Sequence, residues 1–401
     1  MTSLDDFAGR KLAELERKHL RRSVAESARE TPPFVWRGGC RFLSFSCNDY
    51  LNLTSHPAVK AAAFAALSQY GAGAGASRLV TGNHPLYREL EERLAQIKGM
   101  EAACVFGSGY VANCGIIPAL AGHEDLILID TLSHACLWAG AKLSSAKIMI
   151  FDHNDVSHAK ALLAQHRARH RHALLVTEGV FSMDGDLAPL AELADLCEAH
   201  EAWLMSDDAH GLGVLGDGRG SAHAACVSLR VPLQMGTLSK AVGSYGGYLC
   251  ASEPVIDLMK TRARTLIYST ALPPATVGAA IAALQIIQQE PALTRQPLAK
   301  ARLFTAELRL PEAQSPIVPL IIGGARAALE ASEQLEKEGF LVTPIRPPTV
   351  PAGTARLRFA FTAAHSDAEI LRLAEAVRRL ILGRDKQKCD AVLRPRPAKN
   401  L

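Results

Sequence analysis

Several things are missing from this 401-residue chain, and each absence removes a class of function. No apolar run reaches the roughly 20 residues that a membrane-spanning helix needs. The nine cysteines are scattered and form no C-x-x-C pair. That argues against a zinc site or a disulfide framework and for reduced thiols, so no metal is expected. The formal net charge is only +4, too small to imply nucleic-acid binding. Residues 1–10 are polar and acidic, unlike a signal peptide, so a cytoplasmic protein is expected. The glycine-rich segment 71–78 is followed by no Gly-Lys-Ser/Thr and is not a P-loop. As a loop it could close over a site or serve as a plain linker. No internal repeat stands out.

What is present is ordinary globular composition, 48% hydrophobic with 30 glycines and 21 prolines. Leu4, Phe7, Leu12 and Leu15 share one face, which predicts a helix over 4–22. Short apolar runs follow at 103–106, 126–129, 147–151, 173–177, 203–207, 233–236 and 248–251, separated by helical spacing. Strands alternating with helices predict a mostly parallel seven-stranded sheet covered on both faces. After Leu272-Pro273-Pro274 the pattern changes to a smaller α+β unit, with strands predicted at 317–322, 340–344 and 356–361. The expected organisation is an N-terminal helix and arm (1–50), a large α/β domain (51–285), a small α+β domain (286–382) and a basic, proline-rich flexible tail (383–401).

Two segments carry the chemistry: Ser206-Asp207-Asp208-Ala209-His210-Gly211 and Gly236-Thr237-Leu238-Ser239-Lys240. A lysine among hydroxyls and glycines suits a Schiff base with an aldehyde cofactor, because the hydroxyls can bind its phosphate. An aspartate ending an apolar strand suits a buried pyridinium, which needs a fixed negative partner. Pyridoxal 5'-phosphate (PLP) requires both. Alone, Lys240 would be a surface lysine, Thr237 and Ser239 turn residues, and His210 a structural histidine. Asp208 is the better candidate for a cap or ion pair. Gly107-Ser108-Gly109-Tyr110 opens a helix after a strand, a weak signal for phosphate binding. His134 also follows a strand end and could stack on a ring. Glu178 and Ser182 lie just past another strand; Glu178 and Asp207 fit ring binding better than an acid/base pair. Arg356 and Arg358 alternate along one strand, and a guanidinium fork suits a substrate carboxylate.

Together these motifs resemble the α-oxoamine synthases, PLP-dependent transferases of fold type I, over roughly residues 12–382. The resemblance rests on 177–189 (TEGVFSMDGDLAP), 207–216 (DDAHGLGVLG), 268–274 (YSTALPP), 345–365 (IRPPTVPAGTARLRFAFTAAH), 45–51 (FSCNDYL) and 152–156 (DHNDV). It departs at Ser239 and Arg78, where some relatives carry glycine. The resemblance implies that Lys240 holds PLP and acts as base at the substrate Cα. It implies that Asp207 pairs with the pyridinium, His210 with the phenolic oxygen, and that His134 stacks on the ring and meets substrate. Gly109, Tyr110 and Thr237 would help bind the cofactor, with Ser182 near its ring. Arg21, Thr349 and Asn48 would contact substrate, and Arg358 the amino-acid carboxylate. The branch it most resembles condenses L-alanine with pimeloyl-CoA or pimeloyl-acyl carrier protein toward biotin, usually as a homodimer. The alternatives are a sister synthase (glycine with acetyl- or succinyl-CoA, or serine with palmitoyl-CoA), an aminotransferase, or a PLP-fold ligand-sensing regulator. The last needs a DNA-binding module for which no residues are spare.

Overall fold

The structure, a computed structural model, describes residues 2–382, so the expected tail at 383–401 lies outside the described residues. The chain divides into two units. The larger comprises Asp49–Ser182 and Asp186–Pro297; the smaller takes the chain up to Asn48, Met183–Gly185 and the chain from Leu298 onward. The arm expected at 1–50 is thus grouped with the C-terminal segment.

The larger unit is built on seven strands: β1 (Ala102–Phe106), β2 (Leu126–Asp130), β3 (Lys147–Phe151), β4 (Ala173–Glu178), β5 (Trp203–Asp207), β6 (Leu233–Thr237) and β7 (Gly247–Ala251). Their order is β1-β7-β6-β5-β4-β2-β3. Strands β2 to β6 run parallel, and β7 is antiparallel to both neighbours. The apolar runs have a simple cause. Alternate side chains of a strand point to opposite faces, and both faces here are covered. Ile127, Ile129, Leu174, Val176 and Met205 join one core. Leu126, Leu128, Ala173, Leu175 and Leu204 join the other. A helix spanning Pro274–Gln289 also belongs to this unit and is mostly buried.

The smaller unit holds an antiparallel sheet of Ile317–Gly323, Ala355–Ala360 and Thr343–Ile345. A second sheet joins Ala28–Arg29, Phe34–Arg37, Cys40–Ser44 and Phe340–Leu341. The strand predicted at 340–344 is therefore two strands in two sheets. Phe340 and Leu341 pair with Leu43 and Ser44, whereas Thr343–Ile345 pairs with Arg356–Arg358. Ser46 holds the crossing: its Oγ donates to Leu341 O (3.2 Å) and accepts from Thr343 N (2.8 Å). Phe45, Phe340, Phe359, Phe361, Leu373 and Val377 fill the core.

The N-terminal helix is shorter than its periodicity predicts. It covers Ser3–Arg17, started by Thr2 and Asp5 in a capping box. His19 takes φ +54, a left-handed conformation that ends a helix. Arg346 then donates to His19 O, giving that carbonyl a partner outside the helix. No helix among the described residues is long and apolar enough to cross a membrane.

A buried ion pair braces the larger unit. Lys98 ends the helix Leu86–Lys98, and its Nζ donates to Asp208 Oδ2 (2.6 Å) and Arg219 O (2.8 Å). Asp208 Oδ1 accepts from Ser221 Oγ (2.6 Å) and Ser221 N (3.0 Å). A Cβ on Gly211 would lie 2.0 Å from Asp208 Oδ1, so glycine is needed for the backbone to come this close. Removing one partner of a fully buried pair strands the other charge. Lys98→Met is expected to cost about 3–5 kcal/mol in urea unfolding, and Lys98→Met/Asp208→Asn to recover part of it.

Candidate active site

Parallel pairing brings four strand ends to one edge of the sheet, where ligands of open α/β sheets bind. Glu178 ends β4 directly opposite Asp207, which ends β5. Asp130 and Thr237 end the neighbouring strands β2 and β6. Asp207 is buried. Its Oδ2 accepts from Asn113 Nδ2 (2.8 Å) and its Oδ1 from Ala209 N (3.0 Å). Asn113 lies four residues into the helix Gly109–Leu120 and is fully buried. The helix that opens at Gly109 therefore also anchors Asp207.

His210 stands between Lys240 and Tyr50. Lys240 Nζ lies 2.6 Å from His210 Nε2, and Tyr50 OH lies 2.7 Å from His210 Nδ1. A charged Lys240 needs Nε2 as acceptor, which leaves Nδ1–H to donate to the Tyr50 oxygen. Tyr50 is fully buried, so the histidine is held from behind.

His134 caps the helix Ala135–Leu143, with its Nδ1 accepting from Cys136 N (3.2 Å). That places the ring proton of the neutral form on Nε2. Burial lowers its pKa, against the pull of Asp207. Cys136 Sγ is 2.8 Å from the same Nδ1. Burial, then the Asp207 charge, pushes this thiol up to about 12, so it stays protonated. His134 N donates to Glu178 Oε1 (2.6 Å).

The other end of the site is a helix start beside hydroxyls. Ser108 caps the helix and Gly109 opens it. A Cβ on Gly109 would come to 3.3 Å from Thr237 Cβ, so helix start and Thr237 are in close contact. Thr237 Oγ1 donates to Gly246 O (2.7 Å) and lies 2.8 Å from Ser239 Oγ. Gly107 faces open space. Tyr110 is half exposed at the helix start, and Ser182 is buried in the turn after β4. These parts fit PLP. The dipole and free N–H groups of the helix suit its phosphate, Asp207 its ring nitrogen, and Lys240 its aldehyde. Lys240, His210, Asp207, His134, Thr237, Gly109, Tyr110 and Ser182 all belong to the larger unit.

Of the substrate residues expected from the sequence, His134 lies in the larger unit and Arg21, Asn48, Thr349 and Arg358 in the smaller. Arg358 Nη1 donates to Asn48 Oδ1 (3.1 Å). Arg356 is differently engaged. It is fully buried and pairs with Asp184 Oδ1 (2.7 Å) and Met183 O (3.2 Å). Arg21 pairs with Glu16 (3.1 Å), while its neighbour Arg22 donates to Thr349 Oγ1 (2.8 Å). A cavity of about 540 Å³ is lined in part by Arg21, Arg22, Arg37, Arg346 and Thr349. Burial and the like charge of Arg22 lower the pKa of Arg346. Arg78, at the end of the glycine-rich loop, is structural: it pairs with Glu91 (3.0 Å) and covers the Tyr87 ring.

Asn113, Tyr50 and Cys136 were not singled out by the sequence. Asn113 alone had a signal, four positions after Gly109 and so on the same helix face. Glu178 has the most perturbed carboxyl here. Burial, then the charge of Asp207, raises it to about 8 from 4.5. The protonated group favours the folded state fully below pH 4.5, and that contribution is lost as pH rises through about 8. Glu178→Gln is expected to remove this decline, measured as urea unfolding of the apoprotein on either side of that window.

The family model for aminotransferase class I and II matches residues 41–377. An 8-amino-7-oxononanoate synthase of Methylocella silvestris is 72% identical, covering 86% of this chain and 99% of its own. One of Beijerinckia indica is 63% identical, covering 94% and 98%. Among solved structures, serine palmitoyltransferase of S. paucimobilis, with PLP and myriocin bound, superposes with a TM-score of 0.89 at 28% identity, covering 96% and 100%. An 8-amino-7-oxononanoate synthase of Francisella tularensis superposes at 0.71 with 27% identity, covering 85% and 98%. With a family model spanning most of the chain and full-length relatives this similar, the chain belongs to the aminotransferase class I and II family and, within it, to the 8-amino-7-oxononanoate synthases.

Proposed function

We propose that this chain joins L-alanine to a pimeloyl thioester, giving 8-amino-7-oxononanoate, carbon dioxide and free thiol in the course of biotin synthesis. The observation that carries this is the Lys240–His210 contact beside a buried Asp207, in a chain 59–72% identical to proteins bearing that synthase name. The cofactor is PLP, which supplies an electrophilic ring able to take up the electron pair left when the alanine Cα proton departs.

The residues divide the remaining work. Lys240 is the proton carrier at alanine Cα, and the His210 contact 2.6 Å away orients its amine. Asp207 holds the proton on the ring nitrogen, and Asn113 holds Asp207. His134, kept neutral by burial, presents a flat, uncharged ring for stacking. Glu178 is largely protonated at neutral pH, so it adds little negative charge beside Asp207. Gly109, Tyr110 and Thr237 take the phosphate end, and Ser182 lies toward the ring. In the smaller unit, Arg358 with Asn48 suits the alanine carboxylate, a fork matched to a planar anion. The arginine-lined cavity suits the acyl donor. There Arg22 reaches Thr349 while Arg21 is paired with Glu16.

The donor thiol is that of CoA or of an acyl carrier protein, both of which bear phosphate on the same arm. A homodimer is part of the proposal, supported by Phe64, Leu79, Val80 and Tyr268, large apolar side chains exposed on the larger unit.

The first test is thiol release by PLP-loaded protein given pimeloyl-CoA or the carrier-protein thioester, with alanine or glycine. Release that depends on alanine is expected; release only with glycine and a shorter acyl-CoA would assign a sister reaction instead. Lys240→Ala should lose at least about a thousandfold in kcat and the visible cofactor band with it. Arg22→Gln should raise KM for the acyl donor about tenfold while kcat changes little, the pattern of lost ground-state binding.

A further inference from the structure

Three turns at the carboxyl edge of the larger sheet meet at one imidazole that the reaction does not use. His153 follows β3. Its Nδ1 lies 3.1 Å from Asp130 Oδ1, and its Nε2 lies 2.8 Å from Asp186 Oδ2. A neutral imidazole carries one N–H and can donate to only one of two carboxylates; serving both requires the imidazolium. Burial alone would lower its pKa, but hydrogen bonds and charge from Asp130 and Asp186 raise it to about 10.

Each carboxylate shapes a turn. Asp130 is fully buried; its Oδ1 also accepts from Leu132 N (2.8 Å) and its Oδ2 from Asn154 N (2.8 Å). Ser133 N donates to Asp130 O (3.1 Å), and the next residue is His134. On the other side, Asp186 O accepts from Phe181 N (3.0 Å), immediately before Ser182. The His153 ring meets Phe181 edge-on at 4.4 Å. Asn154, held at φ +55, donates from Nδ2 to Asp186 Oδ2 (3.2 Å) and Leu187 O (3.1 Å). The cation thus faces Asp130 from β2 and Asp186 from the turn after β4, with the ring of Phe181 against it.

We propose that His153 is a positioning residue: by holding Asp130 and Asp186 together, it fixes the turn that carries His134 against the turn that carries Ser182 and so sets the shape of the PLP site. This rests on the assignment of His134 and Ser182 to the cofactor. His153 touches neither cofactor nor substrate; its effect passes through the two turns. A staple that served stability alone would leave cofactor binding intact once stability loss is matched.

The test is PLP titration of the apoprotein, followed by visible circular dichroism of the bound cofactor. His153→Gln keeps the size of the side chain but cannot donate to both carboxylates as a cation, and Asp186→Asn removes one charge. Each is expected to weaken PLP binding about tenfold, the scale of one charge-assisted hydrogen bond, and to change the band. In a His134→Ala background the effect of His153→Gln should shrink to about threefold or less, because residues acting through one another are not additive. Leu196→Ala, a core truncation in the helix Leu190–Ala199, should lower stability without changing either readout. Unchanged affinity and band in both variants, or a loss no greater than that of Leu196→Ala, overturns the proposal. A wild type whose band does not depend on Lys240 overturns the cofactor assignment instead, and this inference with it.

Discussion

The rest of the structure depends on one buried negative charge. Asp207 sits at the end of a central strand, nearly out of reach of water, and an isolated carboxylate there would be costly. The fold supplies donors rather than a neutralising side chain. Asn113 and the Ala209 amide hold the two oxygens, and the adjacent carboxyl of Glu178 is pushed toward its protonated form. The site therefore keeps a negative charge available for a cation that arrives with the cofactor. Lys240 and His210 follow the same logic, since their mutual contact holds a basic amine at hand.

Other buried charges are paired elsewhere, which keeps them from competing. Asp208, next in sequence to Asp207, is neutralised by Lys98 and enclosed by close-packed glycines. Arg356 is matched by Asp184, and His153 by two aspartates. Each pair leaves both of its charges satisfied within its own unit. Removing one member strands its partner as an uncompensated buried charge, which is the costly outcome.

Much of the larger unit was legible in the sequence because its physics is local. Parallel strands covered on both faces must be continuously apolar, and seven such runs gave seven strands. The grouping of Lys240, Asp207, His210 and His134 was legible because each lies at or just past a strand end, on the edge where open parallel sheets bind ligands. Less was legible in the smaller unit. The run 340–344 looks like one strand, yet its two halves find partners in different sheets, one with Leu43 and Ser44 and one with Arg356–Arg358. The helix predicted to reach residue 22 stops at Arg17, where His19 turns left-handed, and the His19 carbonyl is taken by Arg346, more than 300 residues on. Neither partner is visible in the local pattern.

By itself the sequence determined the alternation of strands and helices, the motif set and the family, since these follow from periodicity and residue type. Tertiary structure alone decided the pairings. It gave Asp207 an asparagine, Asp208 a lysine and His210 a tyrosine. It sent Arg356 to an aspartate and Arg358 to an asparagine, though both alternate identically along one strand. Those choices depend on which distant side chain the fold brings within about 3 Å, the range in which a hydrogen bond forms. No spacing along the chain encodes that distance.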